Sequence, residues 1–488
     1  MPTPAGRWVV AVTVAGSGIA MLDSTVVTIA LPSIGRQFHT GVAALQWVVS
    51  GYTLTLAALL LLGGSLGDRY GRRRIYLAGI VWFALASAAS GFAPTATVLI
   101  VTRVLQGAGA ALLTPGSLAI LQASFAPGDR GRAIGAWSGL SGVATAAGPL
   151  LGGYLITAAS WRWIFFINVP IAAAVVALGA RHVPESRDPD ATGRLDWAGA
   201  LAAVVFLAGV TFAFIEAPTL GWSSPAVLAM AAAGLAGLAA FLAREHTAAS
   251  PMLPLAIFRT RQFAATNTVT FIVYAALTGV TFLLPVVLQV VSGYSPLAAG
   301  LAMLPPTIIM LTLSARSGQL ASRIGPRLPM SAGPLVAAAG FALLTLATRG
   351  SSYLYVLPGV TVFGLGLTIT VAPLTATAMS AAPAEHAGIA SAVNNDVARF
   401  GGLLAVAVLP ALAGLTGTTY LHPAALSAGF STAMLSAAAL SAAGGLLAAL
   451  TIRNPPRPRR PAGRSHPHYL HCAVDAPPLA TGSGEVSP

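Results

Sequence analysis

The spacing of its polar breaks limits this chain more than any other feature. Apolar runs occupy about residues 8–31, 45–66, 75–93, 98–123, 133–157, 163–181, 196–216, 225–243, 262–291, 298–321, 328–347, 352–380, 387–414 and 426–452. A helix needs roughly 20 apolar residues to cross a bilayer, and each run is near or above that length. The expected fold is an all-α integral membrane protein with fourteen transmembrane helices. Charge is scarce enough to require it. Only 8% of the residues are charged and 56% are hydrophobic, against about 25% charged in soluble domains, so no water-facing surface can be assembled. The first run contains Asp23 and is too long for a signal-peptide core, so it reads as a retained helix. Pro115, Pro285 and Pro373 read as kinks within single helices rather than breaks.

The arginines set an orientation. All 26 basic residues are Arg, and the net charge is +13. Arg7, Arg69, Arg72, Arg73, Arg74, Arg130, Arg132, Arg181, Arg187, Arg194, Arg244, Arg259, Arg261, Arg323, Arg327 and five in the tail fall on one side of the alternating runs. Only Arg36, Arg162 and Arg349 fall on the other. The positive-inside rule then places both termini in the cytoplasm of a cell with a multi-pass inner (plasma) membrane protein, which an even number of helices permits. The positive charge does not suggest nucleic acid, because it lies in short breaks between apolar runs and forms no basic helix or aromatic-basic module. The lone Cys472 excludes a disulfide framework. His466, His468, His471 and Cys472 lie in a Pro- and Arg-rich tail whose composition predicts disorder, so no metal site is expected from them.

One break stands out. Residues 64–74 read GSLGDRYGRRR, a knot holding one Asp and four Arg, with Gly64, Gly67 and Gly71 to let the backbone turn. A degenerate copy, GQLASRIGPR, occupies 318–327. The knot begins 56 residues after the first run starts, and the copy 56 residues after the ninth run starts. The chain therefore divides into an N-terminal six-helix bundle (1–181), two inserted helices with their connectors (182–261), a C-terminal six-helix bundle (262–452) and a tail (453–488).

Parallel six-helix repeats of this kind describe the major facilitator architecture, and several motifs carry the resemblance further. The knot resembles the loop 2–3 signature of the major facilitator superfamily. LDSTVVTIALP at 22–32, RVLQGAG at 103–109, GPLLGG at 148–153 and WRWIFFINVP at 161–170 resemble, in order, the helix-one, helix-four, helix-five and helix-six signatures of its fourteen-helix drug:proton antiporter branch, the EmrB/QacA-like multidrug efflux transporters. LPVVLQVVSG at 284–293 extends the likeness into the second half. Thr28 stands where the family usually has Asn, and Ser322 replaces the acid of the second knot. The resemblance implies a cytoplasmic gate at Gly64, Asp68, Arg69, Gly71 and Arg72. It also implies a tightly packed helix five at Gly148, Pro149, Gly152 and Gly153 that favours exchange, and a role for Arg103 in tuning a carboxylate.

The residues carry physical readings of their own. A carboxylate near mid-bilayer costs roughly 2.5–3.5 kcal/mol to insert, so Asp23 must face a partner or a cavity. It is either a structural acid or a group that exchanges a proton as its surroundings alternate. Arg103 cannot release its proton, but it can set the behaviour of a nearby acid. Gln106 lies one turn on, on the same face. Asp396 and Arg399 lie three apart and can pair. They are either a self-satisfied ion pair or a second titrating site. Glu216 is near a helix end within reach of water. Gly135, Gly139 and Gly142 continue the small-residue character of helix five. Trp47, Tyr52, Tyr274, Phe271 and Phe282, with Gln106, are the candidates for a substrate cavity, the alternative being lipid-facing positions.

Proton-driven export of hydrophobic or cationic drugs or antibiotics from the cytoplasm by alternating access is the function these features favour. The proton is the only coupling species, with no cofactor and no metal, and a monomer in the lipid bilayer is expected. Export of an endogenous metabolite, lipid or self-made antibiotic is the alternative, and a non-transporting sensor a further one. No phosphate-binding GxxxxGK[ST] loop is present, which argues against primary transport. No cluster of His or spaced carboxylates supports an enzyme.

Overall fold

The computed structural model describes residues 4–189, 195–248, 253–350, 352–382 and 387–454. The predicted tail, with its His and Cys residues, lies outside them apart from Arg453 and Asn454. Fourteen helices among the described residues are long and apolar enough to cross a membrane. They are α1 (Pro4–Phe38), α2 (Val42–Tyr70), α3 (Arg72–Gly91), α4 (Ala96–Ser124), α5 (Gly128–Ala158), α6 (Trp163–His182) and α7 (Trp197–Leu220). The second seven are α8 (Pro225–Thr247), α9 (Arg261–Val290), α10 (Pro296–Ile324), α11 (Arg327–Thr348), α12 (Tyr353–Ser380), α13 (Ile389–Leu412) and α14 (Pro423–Thr451). Every apolar run has its helix. Most helices outlast their runs, α1 by a turn or more at each end, because the helix itself satisfies backbone groups that a polar coil would leave open. Pro115, Pro285 and Pro373 lie inside continuous helices. The irregularities fall elsewhere, at Ile167 in α6 and Met303 in α10.

The described residues up to Arg453 pack as one compact unit. In the first half α4 packs on α2 and α3, and α1 on α5 and α6. In the second half α12 packs on α10 and α11, and α9 on α13 and α14. The pattern repeats with every helix number raised by eight. The halves meet through two equivalent pairs, α2 on α13 and α5 on α10, and through α1 on α9. The inserted α7 and α8 pack mainly on each other, and α7 leans on α2 and α13. Asp196 fastens this pair. Its Oδ1 accepts from the Gly199 N–H at 2.9 Å, capping α7, and from Arg244 Nε at 3.0 Å at the far end of α8.

The two knots turn alike. Gly71 and Gly325, each the eighth residue of its stretch, hold φ of 113° and 88°. Such φ values are strained for any residue with a Cβ. A Cβ at Gly71 would also stand 2.7 Å from the Glu185 carboxylate.

Candidate functional site

Asp23 sits on the face of α1 that α4 and α6 cover, with 1% of its surface exposed. Its Oδ2 accepts from Arg103 Nη1, and its Oδ1 from Gln106 Nε2 at 2.9 Å and Asn168 Nδ2 at 3.2 Å. Arg103 is equally buried. It donates from Nε to the Val48 carbonyl at 3.1 Å and from Nη1 to Gln106 Oε1 at 2.7 Å. The Tyr52 ring lies 4.4 Å from its guanidinium carbon and the Phe165 ring 5.8 Å. Four helices thus converge on one acid and one base, with no lining position for either charge in the cavities described below. A buried pair is weak evidence of net stabilisation, but removing one partner costs about 3–5 kcal/mol.

Asn168 belongs to this network, and sequence reasoning did not single it out. Its Nδ2 also reaches Ser87 Oγ at 3.0 Å, and its Oδ1 has no partner among the described residues. The available signal was an amide in an apolar run two residues before Pro170, where α6 restarts after its break.

Two adjoining cavities lie between the halves. The first, of about 320 Å³, starts at Gly67, Asp68 and Arg72 of the knot and rises to Tyr52, with Asn395 and Arg399 of α13 on its far wall. The second, of about 480 Å³, is central and is walled by Thr25, Thr28, Tyr274, Phe282 and Pro285 among others. Ser24, Asn395 and Arg399 line both. Arg399 is the one charged side chain among the described residues lining the central cavity.

These positions sort the candidate contacts. Tyr274 and Phe282 face the central cavity, and Tyr52 the lower one, where its ring stands over the Arg103 guanidinium. Trp47 does not face either cavity. Its Nε1 donates to Glu216 Oε1 at 2.9 Å and its ring packs near Phe212, both on α7. Gln106 is spent entirely on Asp23 and Arg103, with no exposed surface. Phe271 packs against Phe400, ring centres 5.6 Å apart. Trp47 and Gln106 therefore do not serve as cavity lining. α2 and α4 are apolar on most faces, so sequence alone cannot say which face meets the cavity.

At the end remote from the knots the halves are in direct contact. Gln46 Nε2 donates to the Val406 carbonyl at 2.6 Å, Gln289 Nε2 to the Ile29 carbonyl at 2.9 Å, and the Val42 N–H to the Gly417 carbonyl at 2.8 Å. The α5 motif packs closely on α1 of its own half and on α10 of the other. A Cβ at Gly148 would stand 2.0 Å from Thr25 Oγ1, and one at Gly153 2.6 Å from Leu297 Cα. A Cβ at Gly300 of α10 would stand 2.2 Å from the Pro149 carbonyl oxygen. Gly152 lies against Val26. By contrast, Gly135 and Gly139 meet nothing within 4 Å, and Gly142 only Leu311 at 3.8 Å. The close packing of α5 lies at residues 148–153, and the small residues nearer its start do not share it.

At the knot, Arg72 Nε donates to Asp68 Oδ1 at 2.8 Å. The connector after α6 wraps this corner. The Asp188 N–H donates to the Asp68 carbonyl at 2.9 Å, the Arg72 N–H to the Ser186 carbonyl at 2.8 Å, and Arg73 Nη1 to the Val183 carbonyl at 3.0 Å. Arg69 lies over the Tyr70 ring, and a Cβ at Gly64 would touch Pro115 at 3.7 Å. In the second knot Ser322 Oγ donates to the Gln319 carbonyl of its own helix at 2.7 Å.

Asp396 and Arg399 do not pair. Asp396 Oδ1 and Arg399 Nε are both buried without a hydrogen-bond partner among the described residues. Residues three apart on a helix are separated by about 60° around its axis. α13 uses that angle to turn Arg399 toward the central cavity and Asp396 toward α7 and α8.

A sheath of membrane-spanning helices around an inter-half cavity, closed at one end and continuous with the other, defines a transport protein rather than an enzyme. Comparison with known proteins names the family. The model of the Major Facilitator Superfamily matches residues 13–407. The "Multidrug resistance protein Stp" of Mycobacterium tuberculosis (strain CDC 1551 / Oshkosh) is 38% identical over 81% of this chain and 74% of its own length. The "Tetracenomycin C resistance and export protein" of Streptomyces glaucescens is 36% identical over 81% and 74%. The "Puromycin resistance protein pur8" of Streptomyces alboniger is 37% identical over 86% and 83%. Among solved structures, an auto-inhibited POT family peptide transporter aligns with TM-score 0.66 at 16% identity, covering 92% of this chain and 98% of that one, a likeness of fold alone. The chain belongs to the Major Facilitator Superfamily and is an integral membrane transporter.

Proposed function

We propose that this protein exports bulky hydrophobic or cationic drugs from the cytoplasm across the cell membrane by alternating access, exchanging them for protons. The observation that carries the reading is the buried Asp23–Arg103 pair beside a cavity that reaches the knot end while the opposite end is closed. The names of the relatives, which concern resistance to multiple drugs, tetracenomycin C and puromycin, support the drug class. The arginine asymmetry supports placing the knots and both termini in the cytoplasm, so the structure corresponds to the state that loads from inside. The cavity lies between the two halves of a single chain, in keeping with a monomer as the transporting unit.

Asp23 is the one carboxyl group of the network, and Arg103 stays charged, so a coupling proton carried there resides on Asp23. A proton on Asp23 removes the charge that holds Arg103 Nη1. The guanidinium keeps its bonds to the Val48 carbonyl and Gln106 and its place against Tyr52 and Phe165. Its field then falls on the Tyr52 wall of the cavity instead of on the acid. Coupling follows if the substrate-loaded and empty forms differ in that balance, which is a differential interaction of the kind any ligand-driven shift requires. Arg399, facing both cavities, is the second charged participant, and Asp396 a second acid for the coupling. The knot residues Gly64, Asp68, Arg69, Gly71 and Arg72 act as the cytoplasmic gate. Pro149 and Gly153, against α10, form the outer seal that opens in the other half of the cycle, while Gly148 and Gly152 seat α5 on α1.

Everted vesicles from a pump-deficient host test the reading. With an energised membrane the protein should concentrate ethidium or a similar dye inside, and a protonophore should abolish this. Equal dye accumulation with and without the protein would contradict it.

A further inference from the structure

A third cavity, of about 470 Å³, lies outside the inter-half pathway, between α2, α7, α8 and α13 and against Leu253, Leu255 and Phe258. It shares no lining residue with the two cavities between the halves. Leu61, Phe206, Leu238 and Phe258 are typical of its walls. Asp396 is the one charged side chain that lines it among the described residues, and the buried Oδ1 of that acid has no partner. A carboxylate in an apolar chamber without a donor is costly, so the site is incomplete as it stands. A neutral acyl chain would fill the volume and leave the acid unsatisfied. A cation with a bulky apolar body would meet both demands, and the volume falls within the range that holds a drug-sized ligand.

We propose that this chamber is a binding site for amphipathic monocations, an ammonium on a bulky apolar body, with the cationic group at Asp396 and the body between α7 and α8. The inserted helices thereby acquire a role. They wall a site that the six-helix halves alone would expose to lipid. The central cavity presents Arg399, and the chamber presents Asp396 on the adjoining face of the same helix. The efflux reading enters only in the choice of ligand class.

The test is photolabelling of the full chain in nanodiscs with a benzophenone-bearing alkyltrimethylammonium ion, with its uncharged alcohol analogue in parallel and labelled peptides mapped by mass spectrometry. The ammonium probe should label 238–242 or 393–400 at least about tenfold more than the alcohol, as a charge-assisted contact implies. Asp396→Asn should remove that preference. Ala203→Trp, which fills the chamber and keeps the acid, should remove the label. Equal labelling by the alcohol would identify a lipid-chain groove and overturn the proposal, as would labelling unchanged in both variants. The alcohol should label α9 around Tyr274 in every variant. Its failure to do so would count against the central cavity as a substrate site and leave the chamber standing.

Discussion

The chain holds two Asp–Arg combinations within the membrane, and they are built oppositely. Asp23 and Arg103 come from helices α1 and α4, far apart in sequence, yet they meet with every neighbour converging on them. Asp396 and Arg399 lie one turn apart on α13 and face different cavities. Proximity along a helix permits a pair; the partners offered by surrounding helices decide it. In the first half Gln106 and Asn168 complete the shell of the acid. In the second half the buried amides serve each other, Asn394 Nδ2 donating to Asn267 Oδ1 at 3.1 Å and to Thr270 Oγ1 at 2.8 Å. They leave the charges of α13 to the cavities. One half carries a closed, switchable lock, and the other presents its charges to ligands.

The sharpest way to break this contrast is to remove one charge from each combination. Arg103→Ala should leave Asp23 buried without its base and lower stability by about 3–5 kcal/mol, read as a loss of folded protein on heating in detergent. Arg399→Ala should change thermal stability by less than about 1 kcal/mol, because no ion pair is lost. Equal losses would mean that Arg399 has a partner comparable to that of Arg103.

The seal offers the next largest effect. Gly300→Val places a side chain against the Pro149 carbonyl and Gly153→Val one against the backbone of 296–297. Both should cut efflux at least about tenfold by forcing the outer contact apart, as overpacking costs of 1–3 kcal/mol imply. Gly135→Val, on the same helix as Gly153 but with open space around it, should leave efflux near the wild-type rate.

The two knots give a smaller contrast. Asp68→Asn loses the contact with Arg72 and should lower efflux several-fold, roughly the 1.5–3 kcal/mol of a charged hydrogen bond discounted for its exposed setting. Ser322→Asp should change it by less than about twofold, since Ser322 bonds only within its own helix. Similar losses at both would show that the knots gate symmetrically.

Smallest is the pair of aromatics. Trp47→Phe removes one hydrogen bond to Glu216 and should cost about 1 kcal/mol of stability without altering the substrate range. Tyr274→Ala should change the range in a drug-susceptibility panel with little loss of stability. The reverse outcome would return Trp47 to the cavity.

The fourteen helices, the repeat and the knots were legible because each rests on a one-dimensional signal: length of apolarity, place of arginine, place of glycine. Asp23, Arg103 and Gln106 were legible as residues that need a reason to lie in lipid. That the three form one network with Asn168 was not, because an amide in an apolar run carries no mark of its partner. The facing of α13 was hidden for a related reason. Helices surrounded by other helices are apolar on most sides, so Asp396 and Arg399 could be placed on one helix but not aimed. The difference between Gly148 and Gly135 is likewise invisible in sequence, since both read as small residues on α5 and only the neighbour distinguishes them.

Reconstituted proteoliposomes with an imposed pH gradient test the central claim most directly. Wild-type protein should accumulate a transported dye against its concentration gradient when the proton gradient is applied. Asp23→Asn should equilibrate the dye down its own gradient but not accumulate it. Accumulation by Asp23→Asn at the wild-type level would show that the coupling proton does not pass through the buried pair.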